Sequence, residues 1–412
     1  MGVIICPLLL VVAAAHAVGP PALGAVYLRP SAAPSELGAD EFVRQYRRRF
    51  GQPFALPSDQ GDGVAGCGNA PCWGMGKFRY CLPTTYVLGV RKCWTYSLHK
   101  VLWSVVWAGS KTTAYQSGDG VSLRTGQQAP KETHFLSTTL ECISGGDCNR
   151  SAVGTQCSAI DAWTPPRRDP LVLWTSLYQT LAGPTCEARF SRYVESSPES
   201  IHAKPDMLAA LARLLPRTAR FIVTLRHPPS RAWSDYLFTR SVVCGKTSGP
   251  RGTVRSGLHI YAKHDPTFNC SLPAATLPGE FGTHVHRVRD VCSLDQLLFA
   301  TGCYHKLIRR LPVNALVMRI EDWQTDPVAF GNRLTAFLGR DSGGSTTAPV
   351  PQVHATHGMP QGKDRKLSMP QATACLLEEL YRRPLRKLSC LLRGAAFNWL
   401  EEHAKAVASD CT

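Results

Sequence analysis

Arg220-Phe-Ile-Val-Thr-Leu-Arg-His-Pro-Pro-Ser-Arg-Ala-Trp-Ser-Asp-Tyr236 reads as a strand, a turn and a helix start in one run. Phe221 to Leu225 is continuously apolar or β-branched, the pattern of a strand covered on both faces. The following Arg-x-Pro breaks the strand, and a helix opens at about Pro229, carrying Arg231 and Ser234 in its first turns. Helix N-termini expose unpaired N–H groups and the positive end of a dipole, and Arg offers a planar fork of donors matched to phosphate oxygens. The segment is therefore a candidate anion site at a strand's carboxyl end. An ordinary turn with solvated arginines is the competing reading.

A second segment repeats this logic. Tyr86-Val-Leu-Gly-Val-Arg-Lys-Cys-Trp-Thr-Tyr-Ser-Leu98 is again a strand, a tight loop and a helix start. It places Lys92, Thr95 and Ser97 where one cation and two hydroxyls face a phosphate held on the helix end. In a parallel sheet both turns open at the same carboxyl edge.

Working outward, residues 97–107, 171–181 and 207–215 have helical spacing, the last leading into the 221–225 strand. A helix over 293–311, a strand over 315–320, a helix over 327–338 and C-terminal helices follow. This alternation predicts an α/β fold, a P-loop-like parallel sheet flanked by helices on both faces, with disulfide-pinned loop insertions. Residues 18–83 are rich in Pro, Gly and Ala and read as a stem. The catalytic domain is expected over 84–403, with a Cys/Gly-rich insertion at 241–292 and a tail at 404–412.

The chain has 412 residues, 44% apolar and 18% charged, which is globular and not disordered composition. Its 46 Lys and Arg against 30 Asp and Glu give +16, a sign that suits a polyanionic partner. Residues 3–15 are almost wholly apolar, and Ala15-His16-Ala17 has the form of a signal-peptidase site. Residues 1–17 are thus a cleaved signal peptide or the start of a single-span anchor. The run itself is shorter than the roughly 20 residues a bilayer span needs. Sixteen cysteines lack paired C-x-x-C units, so disulfides in an oxidising compartment explain them better than zinc. Asn149 and Asn269 head N-glycosylation sequons. Charge alone admits nucleic acid, but a leader, cysteines and sequons fit it poorly. No G-x-x-x-x-G-K-[ST] run supports a P-loop kinase.

Together the two turns resemble the cofactor motifs of sulfotransferases that use 3′-phosphoadenosine 5′-phosphosulfate (PAPS), above all the Golgi heparan/chondroitin type. Lys92 to Leu98 is similar to their Lys-x-Gly-Thr-x-x-Leu loop, and Arg226 to Tyr236 matches each fixed position of Arg-x-Pro-x-x-Arg-x-x-Ser-x-Tyr. Lys131-Glu-Thr-His-Phe135, Tyr193-Val-Glu-Ser-Ser-Pro198, Gly302-Cys-Tyr-His-Lys and Glu321-Asp-Trp extend the resemblance over roughly residues 84–400.

The resemblance implies a PAPS-dependent carbohydrate sulfotransferase of the Golgi lumen, secreted or membrane-anchored. It acts on a polysaccharide or glycosaminoglycan-like acceptor, without metal and without nucleic acid. The loop residues Arg91, Lys92, Cys93, Trp94, Thr95, Tyr96 and Ser97 surround the phosphosulfate, with Lys92 stabilising the leaving phosphate. Arg226 and Ser234 hold the 3′-phosphate, and Arg231 either joins them or forms a structural salt bridge. Glu132 is the general base, with His134 as the alternative. Lys363 and Arg365 belong to a basic loop over the cofactor, or to a plain solvated charge run. The sequence departs from the motif at Trp94, which stands where the family has glycine. A ring there either crowds the phosphosulfate or points away from it. A catalytically impaired protein of the same fold that binds anionic polysaccharide is the other reading.

Overall fold

The structure is a computed structural model that describes residues 25–28, 36–55, 72–75, 78–107, 136, 171, 179–181, 194–198, 200–215, 219–244, 276–293, 297–311, 313–338 and 367–392. Four parallel strands form its centre: β4 (Thr85–Gly89), β6 (Val194–Glu195), β7 (Arg220–Leu225) and β8 (Ala315–Arg319). A fifth strand, β1 (Ala25–Leu28), pairs antiparallel with β8, giving the order β1-β8-β7-β4-β6. A separate antiparallel sheet joins β2 (Cys72–Met75), β3 (Phe78–Cys81) and β5 (Gln179–Leu181).

Strand periodicity decides which residues meet which helices. Phe221, Val223 and Leu225 of β7 point to one face of the sheet, with Ala315 and Val317 of β8. They pack against α1 (Glu36–Phe50), α3 (Pro205–Leu214), α4 (Pro228–Cys244), α5 (Leu277–Arg287), α7 (Tyr304–Arg309) and α10 (Gln371–Leu391). Val87, Ile222, Leu316 and Met318 point to the other face. There they meet α2 (Thr95–Trp107), α8 (Ile320–Thr325) and α9 (Pro327–Phe337). The helix α6 (Leu297–Ala300) completes the set. The chain is therefore an α/β protein with a parallel sheet covered on both sides, as the alternation in sequence predicts.

Several elements depart from the sequence reading. Part of the 18–83 segment, read as a stem, is folded into the domain. Ala39, Phe42 and Tyr46 recur at helical spacing on α1, are buried, and pack beside α3. Residues 179–181, within a stretch of helical spacing, form β5 and pair with β3 instead. The insertion expected at 241–292 contains α5, whose Glu280 accepts a hydrogen bond from Tyr236 Oη at 2.7 Å. The helix expected over 293–311 is two short helices, α6 and α7. A disulfide, Cys292–Cys303, ties the end of that insertion to the start of α7. Cys375 and Cys390 are also disulfide-bonded, whereas Cys93 is a free buried thiol.

The topology itself selects an edge. Leaving β4, the chain goes to β6 on one side and later to β7 on the other. The carboxyl ends of β4 and β7 therefore flank the point where the winding reverses, and a crevice opens there in sheets of this kind. Gly89 closes β4 with φ +143, and a Cβ on it would lie 2.3 Å from the Pro198 carbonyl oxygen. Only glycine lets the strand end approach the backbone after β6 so closely.

Candidate functional site: an anion crevice between two strand-to-helix turns

Both predicted turns lie at this reversal point. The first runs from Gly89 to Thr95. Cys93 N donates to Val90 O at 3.0 Å, and Leu98 N donates to Trp94 O at 3.0 Å, so Trp94 is the last residue before α2. A Trp side chain has no acceptor with which to cap, and the first-turn N–H groups, including those of Thr95 and Ser97, have no acceptor within the helix. Thr224 of β7 fastens this turn to the sheet. Its hydroxyl donates to Cys93 O at 2.6 Å, and its carbonyl accepts from Val90 N at 2.9 Å.

The second turn is built differently. Arg231 N donates to His227 O, so His227 precedes the helix, and Pro228 and Pro229 fill its first two positions. Neither proline has an N–H, and the N–H of His227 donates to Glu321 Oε1 at 2.8 Å. The N-terminus of α4 thus presents few backbone donors. An anion here would rest on side chains and the helix dipole more than on N–H groups, which amends the expectation from sequence.

One residue couples the turns. Tyr304 Oη donates to the Arg226 carbonyl and lies 3.7 Å from Cys93 Sγ. Burial pushes the Cys93 thiol up to about 12, so it is a neutral packing group here and no nucleophile.

The candidate side chains divide by what they touch. Arg91 is buried, with Nε 2.8 Å from Asp235 Oδ1 and an amino group 2.8 Å from Thr239 Oγ1. Arg231 is fully buried, 3.0 Å from Asp235 Oδ2, and also donates to the Leu298 carbonyl. These two guanidinium groups share one carboxylate and are framework. Of the two readings for Arg231, the salt bridge is the one the geometry favours. Arg226, by contrast, is half-buried, and its guanidinium has no hydrogen-bond or ion-pair partner among the described residues. The hydroxyls of Thr95, Ser97 and Ser234 likewise make no hydrogen bond among the described residues, although all three residues are buried. A cation and three hydroxyls held in place without partners among the described residues are suited to an anionic ligand.

Lys92 lies between the two groups. Its ammonium sits 4.1 Å from the centre of the Phe238 ring, a cation–π contact. Phe238 is one helical turn beyond Ser234, so the lysine of the first turn rests along α4, the helix of the second. The two turns thus converge in space.

Trp94 adopts φ +66, the left-handed backbone that a glycine would adopt without strain. For a Trp this costs on the order of 1–2 kcal/mol. Its ring packs on Trp323 at 4.6 Å and Phe330 at 6.0 Å, in the apolar cluster under α8 and α9. The loop keeps its glycine-like course, and the aromatic contacts offset the backbone cost. Tyr96 is exposed and points away from the core.

Sequence reasoning missed Tyr304, Thr224, Phe238 and the carboxylate of Asp235 as parts of this site. Asp235 and Phe238 lie on the very helix that the second motif opens, but the first-turn residues they meet, Arg91 and Lys92, are more than a hundred residues away in the chain. Glu132, His134, Lys363, Arg365, Asn149 and Asn269 fall outside the described residues. So does the leader, residues 1–17. Among the described residues no helix is long and apolar enough to cross a membrane, and no cluster of His, Cys, Asp and Glu could hold a metal.

No family model matches the chain, and no curated protein sequence matches it. Among solved structures the chain is similar to a sulfotransferase from Alicyclobacillus acidocaldarius, at 16% identity and a TM-score of 0.36, over 76% of this chain and 96% of that one. A superposition of that quality carries no weight of its own, and the crevice is read from its own residues.

Proposed function

We propose that the chain is a sulfotransferase that moves a sulfuryl group from PAPS to a hydroxyl of a glycan. The observation that carries this reading is the pair of turns at the sheet's reversal point, with Lys92, Thr95 and Ser97 on one and Arg226 and Ser234 on the other. A nucleotide with a phosphosulfate at one end and a 3′-phosphate at the other has two anionic groups for two such turns. The guanidinium of Arg226 and the hydroxyl of Ser234, uncommitted among the described residues, fit the 3′-phosphate, and the start of α2 fits the phosphosulfate.

In this reading the protein's work is placement and charge. Lys92 leaves the Phe238 face and balances the charge that collects on the departing phosphate. Thr95 and Ser97 donate hydrogen bonds to the same oxygens. Glu132 takes the proton of the acceptor hydroxyl as its oxygen bonds to sulfur, and His134 is the alternative base. Lys363 and Arg365 would cover the nucleotide. The leader, the cysteines and the sequons of the sequence support a secretory-pathway location in this reading, with the Golgi lumen as the proposed working compartment.

The test is transfer of labelled sulfate from PAPS to a panel of glycans. Glu132→Gln is expected to lower turnover about a thousandfold while leaving nucleotide binding unchanged. Transfer by the wild-type chain that is unaffected by this change would remove Glu132 from the mechanism.

A further inference from the structure

Tyr304, the first residue of α7, is buried, and the backbone around it is held at several points. The Cys292–Cys303 disulfide ends at the residue before it. Lys306 Nζ donates to the Cys292 carbonyl at 2.9 Å, and Tyr381 Oη of α10 donates to the Phe299 carbonyl at 2.6 Å. At Gly302 a Cβ would lie 2.9 Å from the Tyr381 ring, so α10 closes directly over this segment. A phenol set in so constrained a backbone has little freedom to follow either strand-to-helix turn when one of them moves.

Its hydroxyl reaches both turns. A phenol has one proton, and Tyr304 gives it to the Arg226 carbonyl. The 3.7 Å contact with Cys93 Sγ then runs the other way, with the thiol donating to Tyr304 Oη. Burial keeps both groups protonated, raising the thiol to about 12 and the phenol well above its usual range. The result is a directed chain, Cys93 S–H to Tyr304 O–H to Arg226 C=O. One end is the residue after Lys92, and the other is the residue whose guanidinium has no partner among the described residues. Thr224 also holds the Cys93 carbonyl from the sheet, so the first turn is fastened at this one residue from two sides.

We propose that Tyr304 is a positioning residue that sets the separation of the two anion seats, and that this separation selects nucleotides phosphorylated at both the 3′ and the 5′ position. The proposal rests on the PAPS reading above and adds the group that makes two seats act as one site. A ligand held at one seat brings its other phosphate to the second at an effective concentration fixed by the geometry, and the gain fades when the seats drift apart. Seats placed before binding also spare the ligand the cost of ordering them. A nucleotide with one phosphate occupies one seat and gains nothing from the coupling. Tyr304 acts through the Arg226 carbonyl and the Cys93 thiol, and not by touching the nucleotide.

The experiment is calorimetric titration of the full chain with 3′,5′-ADP, 3′-AMP and 5′-AMP. Tyr304→Phe keeps the ring and removes the hydroxyl. It is expected to weaken 3′,5′-ADP about tenfold and each monophosphate by less than about twofold, so that the preference for two phosphates collapses. Cys93→Ala cuts the weaker end of the chain and is expected to weaken 3′,5′-ADP about threefold, with the monophosphates again spared. In the Tyr304→Phe background it should add nothing further, because the chain is already broken. A parallel loss of all three nucleotides in Tyr304→Phe would make Tyr304 an ordinary core residue and overturn the proposal. Unchanged 3′,5′-ADP affinity would overturn it equally, read from Cys93→Ala should Tyr304→Phe not fold. Equal affinity of the wild-type chain for 3′,5′-ADP and 5′-AMP would instead defeat the sulfotransferase reading, and the positioning role with it.

Discussion

Asp235→Ala should destabilise the folded chain by about 4 kcal/mol, because it strands two buried guanidinium groups at once. Arg91 lies 2.6 Å from one carboxylate oxygen and Arg231 3.0 Å from the other, and Asp235 itself is inaccessible to solvent. The attraction among these groups compensates the loss of hydration that burial imposes on each of them. Removing the carboxylate leaves that loss in place. Asp235→Asn keeps the shape and one acceptor oxygen but not the charge, so its effect should fall between wild type and Ala. Urea denaturation measures both, and a midpoint for Asp235→Ala within error of wild type would show that the pair is not structural. The position of the first turn depends on the same carboxylate. Asp235 anchors Arg91, the residue next to Lys92, so Asp235→Asn should also weaken nucleotide binding at temperatures where it is fully folded.

Lys92→Ala is expected to lower sulfate transfer about a thousandfold, the scale on which enzymes lose rate when a charge partner of the developing anion is removed. Its effect on stability should be small. Lys92 is partly exposed, and its contact with Phe238 contributes about 0.5–1 kcal/mol. This division, a large loss in turnover with a near-normal denaturation midpoint, separates a catalytic lysine from a packing one. Phe238→Leu provides the complement. It removes the ring on which the ammonium rests while keeping the cation, so it should change turnover far less than Lys92→Ala does.

How much of this was legible in the sequence depends on the range of the interactions. The strands expected at 86–90, 221–225 and 315–320 form within a residue of those bounds, and the helices after the first two are local patterns of apolar residues, prolines and turns that read from the chain alone, whereas α8, which directly follows β8, did not. The sheet's reversal point is not local, yet the two turns that flank it were found through their own composition. The roles of Arg91 and Arg231 were not legible. An arginine in a phosphate-like motif looks the same whether its guanidinium faces a ligand or a buried Asp, and the partner here lies 144 residues from Arg91. The two prolines after His227 were visible, and their cost in backbone donors could have been inferred from the missing N–H groups. Trp94 shows the opposite case. Its position raised a steric question that only the ring's packing on Trp323 and Phe330 answers. The helix α1 was hidden by context, since its buried Ala39, Phe42 and Tyr46 sit amid a Pro- and Gly-rich stretch.

The crevice between β4 and β7 as a two-phosphate nucleotide site is tested most directly by calorimetric titration of the full chain with 3′,5′-ADP, beside 5′-AMP. Saturable one-to-one binding is expected, at least tenfold weaker for 5′-AMP, and reduced to the 5′-AMP level by Arg226→Ala or Ser234→Ala. No binding of 3′,5′-ADP at millimolar concentration, or equal affinity for the two nucleotides, would contradict it.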